Sequence, residues 1–262
     1  MAEGFHTYSP AAIKQLFDGH RVSHILCEGD DAFLAGSKAG TAMRRISVSG
    51  AQEKFPAVIE EGIIRIAGDE EQSTYILKPY PWDELLLNRK LIPANEHLTM
   101  QVASQVYGIQ TAANGLCFTG KGQPVYITRR FDIKPDFTKT EMEDFATLEG
   151  RNEQTDGKYF KYSNTSLHVA GDDFGLDGGL SPKIEKSDAY EKSGHPCRTD
   201  FERFGELIGL PSKRISRILD RYMVLPELTK TLTLRSFLND KMKRIYLRIV
   251  NERIARFKRQ TL

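Results

Sequence analysis

Cysteine and tryptophan are scarce in this 262-residue chain, with three and one copies. Cys27, Cys117 and Cys197 are odd in number and far apart, which argues against a disulfide framework and against a zinc site with paired ligand spacing, and fits a reducing compartment. No apolar run approaches the ~20 residues of a membrane-spanning helix. The start, Met1-Ala2-Glu3-Gly4-Phe5-His6, lacks the basic-then-apolar order of a secretory signal. A cytoplasmic protein with no membrane partner is therefore expected. A dominant charge is missing too: 37 Lys and Arg against 35 Asp and Glu leave a net +2. The molecule as a whole is not an electrostatic binder of nucleic acid, and any basic surface must be local. Internal repeats and low-complexity linkers are also absent.

What is present is enough apolar side chain, 40% of residues, to bury a core of one large domain or two lobes. The pattern changes near Asp136 from strand-rich to helix-rich, which divides the chain into an N-lobe, 1–136, and a helical C-lobe, 137–262. Lys54 to Glu60 and Ile63 to Ala67 are apolar stretches joined by Glu60-Glu61-Gly62, a hairpin pattern. Thr74 to Lys78 reads as a third strand stopped by Pro79. Leu98, Val102, Ala103 and Val106 recur at helical spacing, with Asn95 as N-cap and an end near Tyr107. Gly115 to Thr119 and Gln123 to Thr128 flank Gly120-Lys121-Gly122, a second hairpin.

In the C-lobe, Phe201, Phe204, Leu207 and Ile208 share a helix ended by Gly209. Ile215, Ile218, Leu219 and Tyr222 share another begun at Pro211-Ser212. A last long helix is expected to carry Phe237, Met242, Ile245, Tyr246, Ile249 and Ile254. Its polar face holds Lys241, Lys243, Arg244, Arg248, Arg253, Arg256, Lys258 and Arg259 against Glu252. Such a run is usually a solvated face; direct nucleic-acid binding through it would show as strong salt dependence.

Phosphoryl transfer from ATP needs a loop over the phosphates, a lysine to neutralise them, a carboxylate to hold that lysine, metal ligands and a base. The N-lobe offers the first three in kinase order. Ile46 to Lys54 is a loop of small residues whose backbone N–H groups could approach phosphate closely. Lys78 ends the third strand and Glu96 opens the following helix, the placement of the strand lysine and helix glutamate of kinases. Taken singly, each has a plainer reading: a turn, a surface lysine, an acid favoured by the helix dipole. Their order and spacing favour the kinase reading.

Ser47-Val48-Ser49-Gly50-Ala51-Gln52-Glu53-Lys54, Tyr75-Ile76-Leu77-Lys78, Asn95-Glu96, Arg130-Phe131-Asp132 and Glu143-Asp144-Phe145 together resemble successive signatures of the HipA toxin kinases. Asn164 to His168, Asp172 to Ser181 and the helices from Phe201 onward resemble later parts of the same family. The resemblance begins near Arg45 and lacks the small N-terminal subdomain of longer HipA proteins, as in short HipT-like toxins of three-gene systems. It implies an α+β, two-lobed, protein-kinase-like fold with a strand-rich N-lobe and a truncated helical C-lobe. It implies an ATP- and magnesium-dependent serine/threonine protein kinase, the toxin of a toxin–antitoxin system. Implied partners are HipB-like and HipS-like antitoxins and a protein substrate such as an aminoacyl-tRNA synthetase, with DNA reached only through the antitoxin. By the same resemblance, Ser49, Gly50, Ala51, Gln52, Glu53 and Lys54 contact nucleotide phosphates. Lys78, held by Glu96, binds ATP, and Arg129, Arg130 and Phe131 lie at the hinge beside the adenine. Ser47 and Ser49 are the implied autophosphorylation sites.

One departure stands out. Between Phe145 and Asn164 the family carries a catalytic loop with an aspartate, a histidine and an asparagine, then a tyrosine–aspartate pair that binds magnesium. Here Lys158-Tyr159-Phe160-Lys161-Tyr162-Ser163 runs directly into Asn164. No catalytic or metal-binding residue is assigned, and the expected protein is catalytically impaired or a non-catalytic remnant binding nucleotide or antitoxin. Asp83 and Asn88 have catalytic-loop spacing but fall between Lys78 and Glu96, a loop feature. Asp173-Phe174-Gly175 spells a kinase magnesium motif, a cheap three-letter match. His168 has no metal-ligand spacing to His195.

Overall fold

The computed structural model describes residues 7–34, 52–134, 136–141, 180–181 and 183–258, without the side chains of residues 32 and 33. The fold is mixed α+β, as expected, and divides into two compact units: Met1–Met142 with Arg235–Leu238, and Glu143–Leu234 with Asn239–Leu262. Among the described residues, no helix is long and apolar enough to cross a membrane.

Strands dominate the first unit. They are β1 (Phe55–Glu60), β2 (Ile63–Ile66), β3 (Tyr75–Lys78), β4 (Asn114–Phe118) and β5 (Pro124–Arg129). They form one antiparallel sheet in the order β2-β1-β3-β5-β4. Glu61 and Gly62 both have positive φ, 49° and 78°, the two-residue turn whose twist suits a hairpin. Helix α1 (Pro10–Phe17) starts at Ser9, whose hydroxyl accepts from Ala12 N at 3.2 Å, and buries Leu16 and Phe17. The Phe17 ring meets Tyr8 at 4.8 Å and Tyr75 at 6.0 Å.

The sheet has two edges, β2 and β4, and one segment of chain covers both. Residues 23–31 exchange Leu26 N to Phe118 O (2.9 Å) and Phe118 N to His24 O (2.8 Å) with β4. On the other edge, Ser23 N donates to Gly62 O at 2.7 Å and Cys27 N to Ile64 O at 3.0 Å. Two aspartates finish the closure: Asp30 accepts from Ile66 N at 2.7 Å and Asp31 from Gly120 N at 3.1 Å. Backbone groups that an edge strand leaves unpaired are thereby satisfied within the molecule.

Helix α2 (Ile92–Gln101) begins four residues earlier than expected. Pro93, in its first turn, needs no intrahelical N–H partner and starts the helix, so Asn95 lies inside it rather than at its cap. The helix then widens over Val102–Val106, where Tyr107 N reaches Val102 O at 3.3 Å, five residues back.

Helices make up the described part of the second unit: α3 (Asp188–Ser193), α4 (Arg198–Leu207), α5 (Ser212–Asp220), α6 (Glu227–Leu234) and α7 (Asp240–Phe257). Asp200, 2% exposed, joins two of them. Its carboxylate accepts from Ser187 N, Ser187 Oγ and Cys197 N, each at 2.8 Å, and so holds the starts of α3 and α4 together. Gly209, with φ at 79°, ends α4. Phe201 packs on Phe257 with ring centroids 5.6 Å apart.

Two expectations for the last helix need correction. Asn239 caps it, accepting from Met242 N at 2.9 Å, so Phe237 lies before the helix. That residue belongs to the first unit, its ring 5.0 Å from Phe118. The basic run is also not uniformly solvated. Lys243 is buried one turn from buried Tyr246, where its aliphatic stem can cover apolar surface. Lys241, Arg244, Arg248 and Lys258 are exposed.

Candidate functional site

Strand β3 ends at Lys78 because Pro79 has no N–H to continue the ladder. Register with β5 sets Lys78 opposite Tyr126, and the ammonium lies 5.2 Å from the centre of the Tyr126 ring. Helix α2 packs on β4 and β5 and carries Glu96 inward. Lys78 Nζ donates to Glu96 Oε1 at 2.6 Å, with the two side chains 21% and 4% exposed. The expected lysine and glutamate, 18 residues apart in sequence, are thus brought together. The second Glu96 oxygen is buried and accepts no hydrogen bond among the described residues.

A second lysine shares this environment. Burial lowers the basicity of Lys54, the nearby Lys78 charge lowers it further, and Glu96 opposes both. Lys54 immediately precedes β1, and its neighbours run alongside the chain leaving β3. Gln52 Nε2 donates to Pro79 O at 2.6 Å, and Glu53 accepts from Trp82 N at 3.3 Å. Lys54 thus lies within electrostatic reach of both members of the Lys78–Glu96 pair.

Tyr126, absent from the sequence-based site, is the aromatic floor beneath Lys78. Burial first, then the Glu96 charge, pushes its phenol far above the usual range, so it stays neutral. Once β3 and β5 are paired, the residue opposite Lys78 is the available signal for it.

Arg129, Arg130 and Phe131 lie elsewhere. Arg129 stands opposite Tyr75, three residues from the Lys78–Tyr126 pair and roughly 10 Å along the strand. Its guanidinium pairs with Asp18, the left-handed residue that ends α1. Arg130 grips Asp132 with two nitrogens, at 3.0 and 2.6 Å, and donates to Ser73 Oγ at 3.0 Å. Phe131 is 73% exposed. Asp83 and Asn88 sit in the β3–α2 connection, where Asp83 accepts from Leu85 N at 2.9 Å and Asn88 has a left-handed backbone. Ser47, Ser49, Gly50 and Ala51 lie outside the described residues, as do Glu143 to Phe145, Asn164 to His168 and Asp172 to Gly175. Among the described residues, no three His, Cys, Asp or Glu side chains gather as metal ligands would.

No curated protein matches the chain. Among solved structures it is similar to the Shewanella oneidensis MR-1 toxin–antitoxin complex of HipA, HipB and operator DNA, at 15% identity and a TM-score of 0.49. That match covers 82% of this chain, which spans 65% of the length of the other. Residues 46–173 match the family model described as the HipA-like C-terminal domain, a stretch that contains the sheet, Lys54, Lys78 and Glu96. Over residues 46–173, just under half of its length, the chain is therefore similar to the HipA-like C-terminal domain family.

Proposed function

We propose that this chain is a nucleotide-binding protein of the HipA kinase type, derived from an ATP-dependent serine/threonine protein kinase of a toxin–antitoxin system and impaired in phosphate transfer. The observation that carries this reading is the cluster of Lys54, Lys78 and Glu96. A buried carboxylate fixes one ammonium while a second stands close by, an arrangement suited to ATP phosphates. Gln52, Glu53 and the loop before them, including Ser49, Gly50 and Ala51, would cover those phosphates. The adenine side implied for Arg129, Arg130 and Phe131 draws no support from this geometry: Arg129 stands an odd number of residues from Tyr126 along β5, so its side chain lies on the other face of the sheet, paired with Asp18.

Transfer additionally needs a base and metal-held phosphates, and the family's residues for both are missing between Phe145 and Asn164. Magnesium would supply charge neutralisation between phosphate oxygens when bound. Lys54 and Lys78 bind and orient the phosphates without it. In this reading the partners are HipB-like and HipS-like antitoxins. The ancestral substrate is a protein serine, as on an aminoacyl-tRNA synthetase, and Ser47 and Ser49 are the autophosphorylation positions.

The test is titration of purified protein with a fluorescent ATP analogue, alongside incubation with labelled ATP, magnesium and cell extract. Lys78→Met should weaken binding about 10-fold or more, the loss of one charge-assisted contact. No label should reach protein. Absence of saturable binding to the parent chain would overturn the nucleotide assignment, and label on Ser47, Ser49 or an extract protein would overturn the impairment.

A further inference from the structure

Helices α4 and α5 are joined by four residues, Ile208-Gly209-Leu210-Pro211, and the joint is closed by backbone bonds. Gly209 N donates to Glu206 O and Leu210 N to Gly205 O, each at 2.9 Å, the paired bonds of a helix end with a left-handed residue. Gly205 is where the two helices touch. A Cβ built there would lie 2.8 Å from Ile215 Cδ1 and Cγ1, so only a hydrogen fits at that point of α4. Ile215 and Leu219 turn α5 inward and are buried. A small residue on the first helix, glycine in a four-residue turn and apolar anchors on the second helix are the sequence features that a helix-turn-helix unit uses.

The outward face of α5 is basic. Lys213, Arg214 and Arg217 are exposed and, among the described residues, form no ion pair. Arg221 follows directly and is exposed as well. The single acid of α5, Asp220, is engaged by Arg198 Nη1 at 2.6 Å. Glu206, on α4, is the nearest exposed acid in sequence. Pro211 provides no side-chain cap, so the first N–H groups of α5 add their partial positive charge to the same end as Lys213 and Arg214. In a chain with a net charge of only +2, Lys213, Arg214 and Arg217 are three exposed cations on one short helix that form no ion pair among the described residues.

We propose that α4 and α5 form a double-stranded DNA-binding unit in which α5 enters the major groove and Lys213, Arg214 and Arg217 neutralise phosphates. The joint at Gly205 and Gly209 fixes the angle at which α5 is presented, and burying Ile215 and Leu219 leaves Lys213, Arg214 and Arg217 exposed toward the duplex. This assignment needs no bound nucleotide and stands or falls separately from the kinase reading. It also departs from the expectation that DNA is reached only through an antitoxin.

The experiment is fluorescence anisotropy of the full chain, without nucleotide or antitoxin, against a labelled random-sequence duplex of about 20 base pairs. Three phosphate contacts predict an affinity loss of about 40-fold between 50 and 200 mM salt. The combined Lys213→Gln, Arg214→Gln, Arg217→Gln variant should lose that salt dependence and bind at least 10-fold more weakly at the lower salt. Its thermal unfolding midpoint should match the parent, since these side chains are exposed. A second variant, Lys241→Gln, Arg244→Gln, Arg248→Gln on α7, should bind within a few-fold of the parent. Absence of duplex binding at 50 mM salt overturns the proposal. So does loss of binding in the α7 variant rather than the α5 variant, or single-stranded RNA of equal charge binding as tightly as the duplex.

Discussion

Replacing Asp200 with alanine should destabilise the second unit by about 2–5 kcal/mol. The carboxylate is almost fully buried and accepts three hydrogen bonds of 2.8 Å, two of them from backbone N–H groups of Ser187 and Cys197. Removing it leaves both N–H groups inside the protein without an acceptor, at about 1–3 kcal/mol each. The Ser187 hydroxyl loses less, because it also accepts from Tyr190 N at 3.2 Å and keeps that bond. Relief from burying a charge offsets part of the cost.

Burial by itself would raise the pKa of Asp200, but the bonds from Cys197 and Ser187 outweigh it and hold the pKa below the usual carboxylate value. Its stabilising contribution is therefore present above the ordinary aspartate range and disappears as pH falls through the depressed folded pKa. Urea unfolding of parent and Asp200→Ala at neutral and acid pH measures both effects. The gap between the two proteins should narrow in acid, and amide exchange should quicken in α3 and α4. A difference under about 0.5 kcal/mol at pH 7, the size of an ordinary surface change, would refute the reasoning.

Asp30 should behave in the opposite sense. Burial raises its pKa above the usual value, against the pull of the Ile66 N–H and Arg65, so its contribution is full below the unfolded pKa and declines as pH rises through the folded one. Asp30→Asn should flatten that decline, measurable as the difference in thermal midpoint between pH 4 and pH 7. For the α4–α5 contact, Gly205→Ala should cost about 1–2 kcal/mol despite the better helix propensity of alanine. Adding Ile215→Val should recover part of that loss, so the two changes should be non-additive in denaturant unfolding, and simple additivity would place the contact elsewhere.

The hairpins were legible because Glu61-Gly62 and Gly120-Lys121-Gly122 interrupt strongly apolar runs, leaving few alternatives for the chain between them. The Lys78–Glu96 pair was legible from order and spacing, and the sheet register supplies Tyr126 beside it. Helix α2 was placed late because Asn95 is a good cap by residue type, whereas Pro93 starts helices by its fixed backbone angle. Phe237 was assigned to the last helix because its spacing fits the apolar face, and periodicity cannot register a cap at Asn239 that cuts the pattern. Residues 23–31 were invisible as structure. They pair a few backbone groups at a time with two different strands, through Ser23, His24, Leu26 and Cys27, so no alternation develops for a sequence reading to detect.

That edge-covering segment has a consequence for how the protein is made. Its residues leave the ribosome before any strand they bond with, and Asp31 waits 89 residues for Gly120. At roughly 5–20 residues per second the delay is about 4–18 s. During that interval Leu26 and the apolar face of α1 have no sheet to rest on, and β1 and β2, once synthesised, carry an uncovered margin. Closure of the first unit is thus a late event in translation, gated by the β4–β5 hairpin. A slow codon or a truncation between Phe118 and Arg129 would leave a nascent chain with two sticky borders, a natural substrate for chaperones.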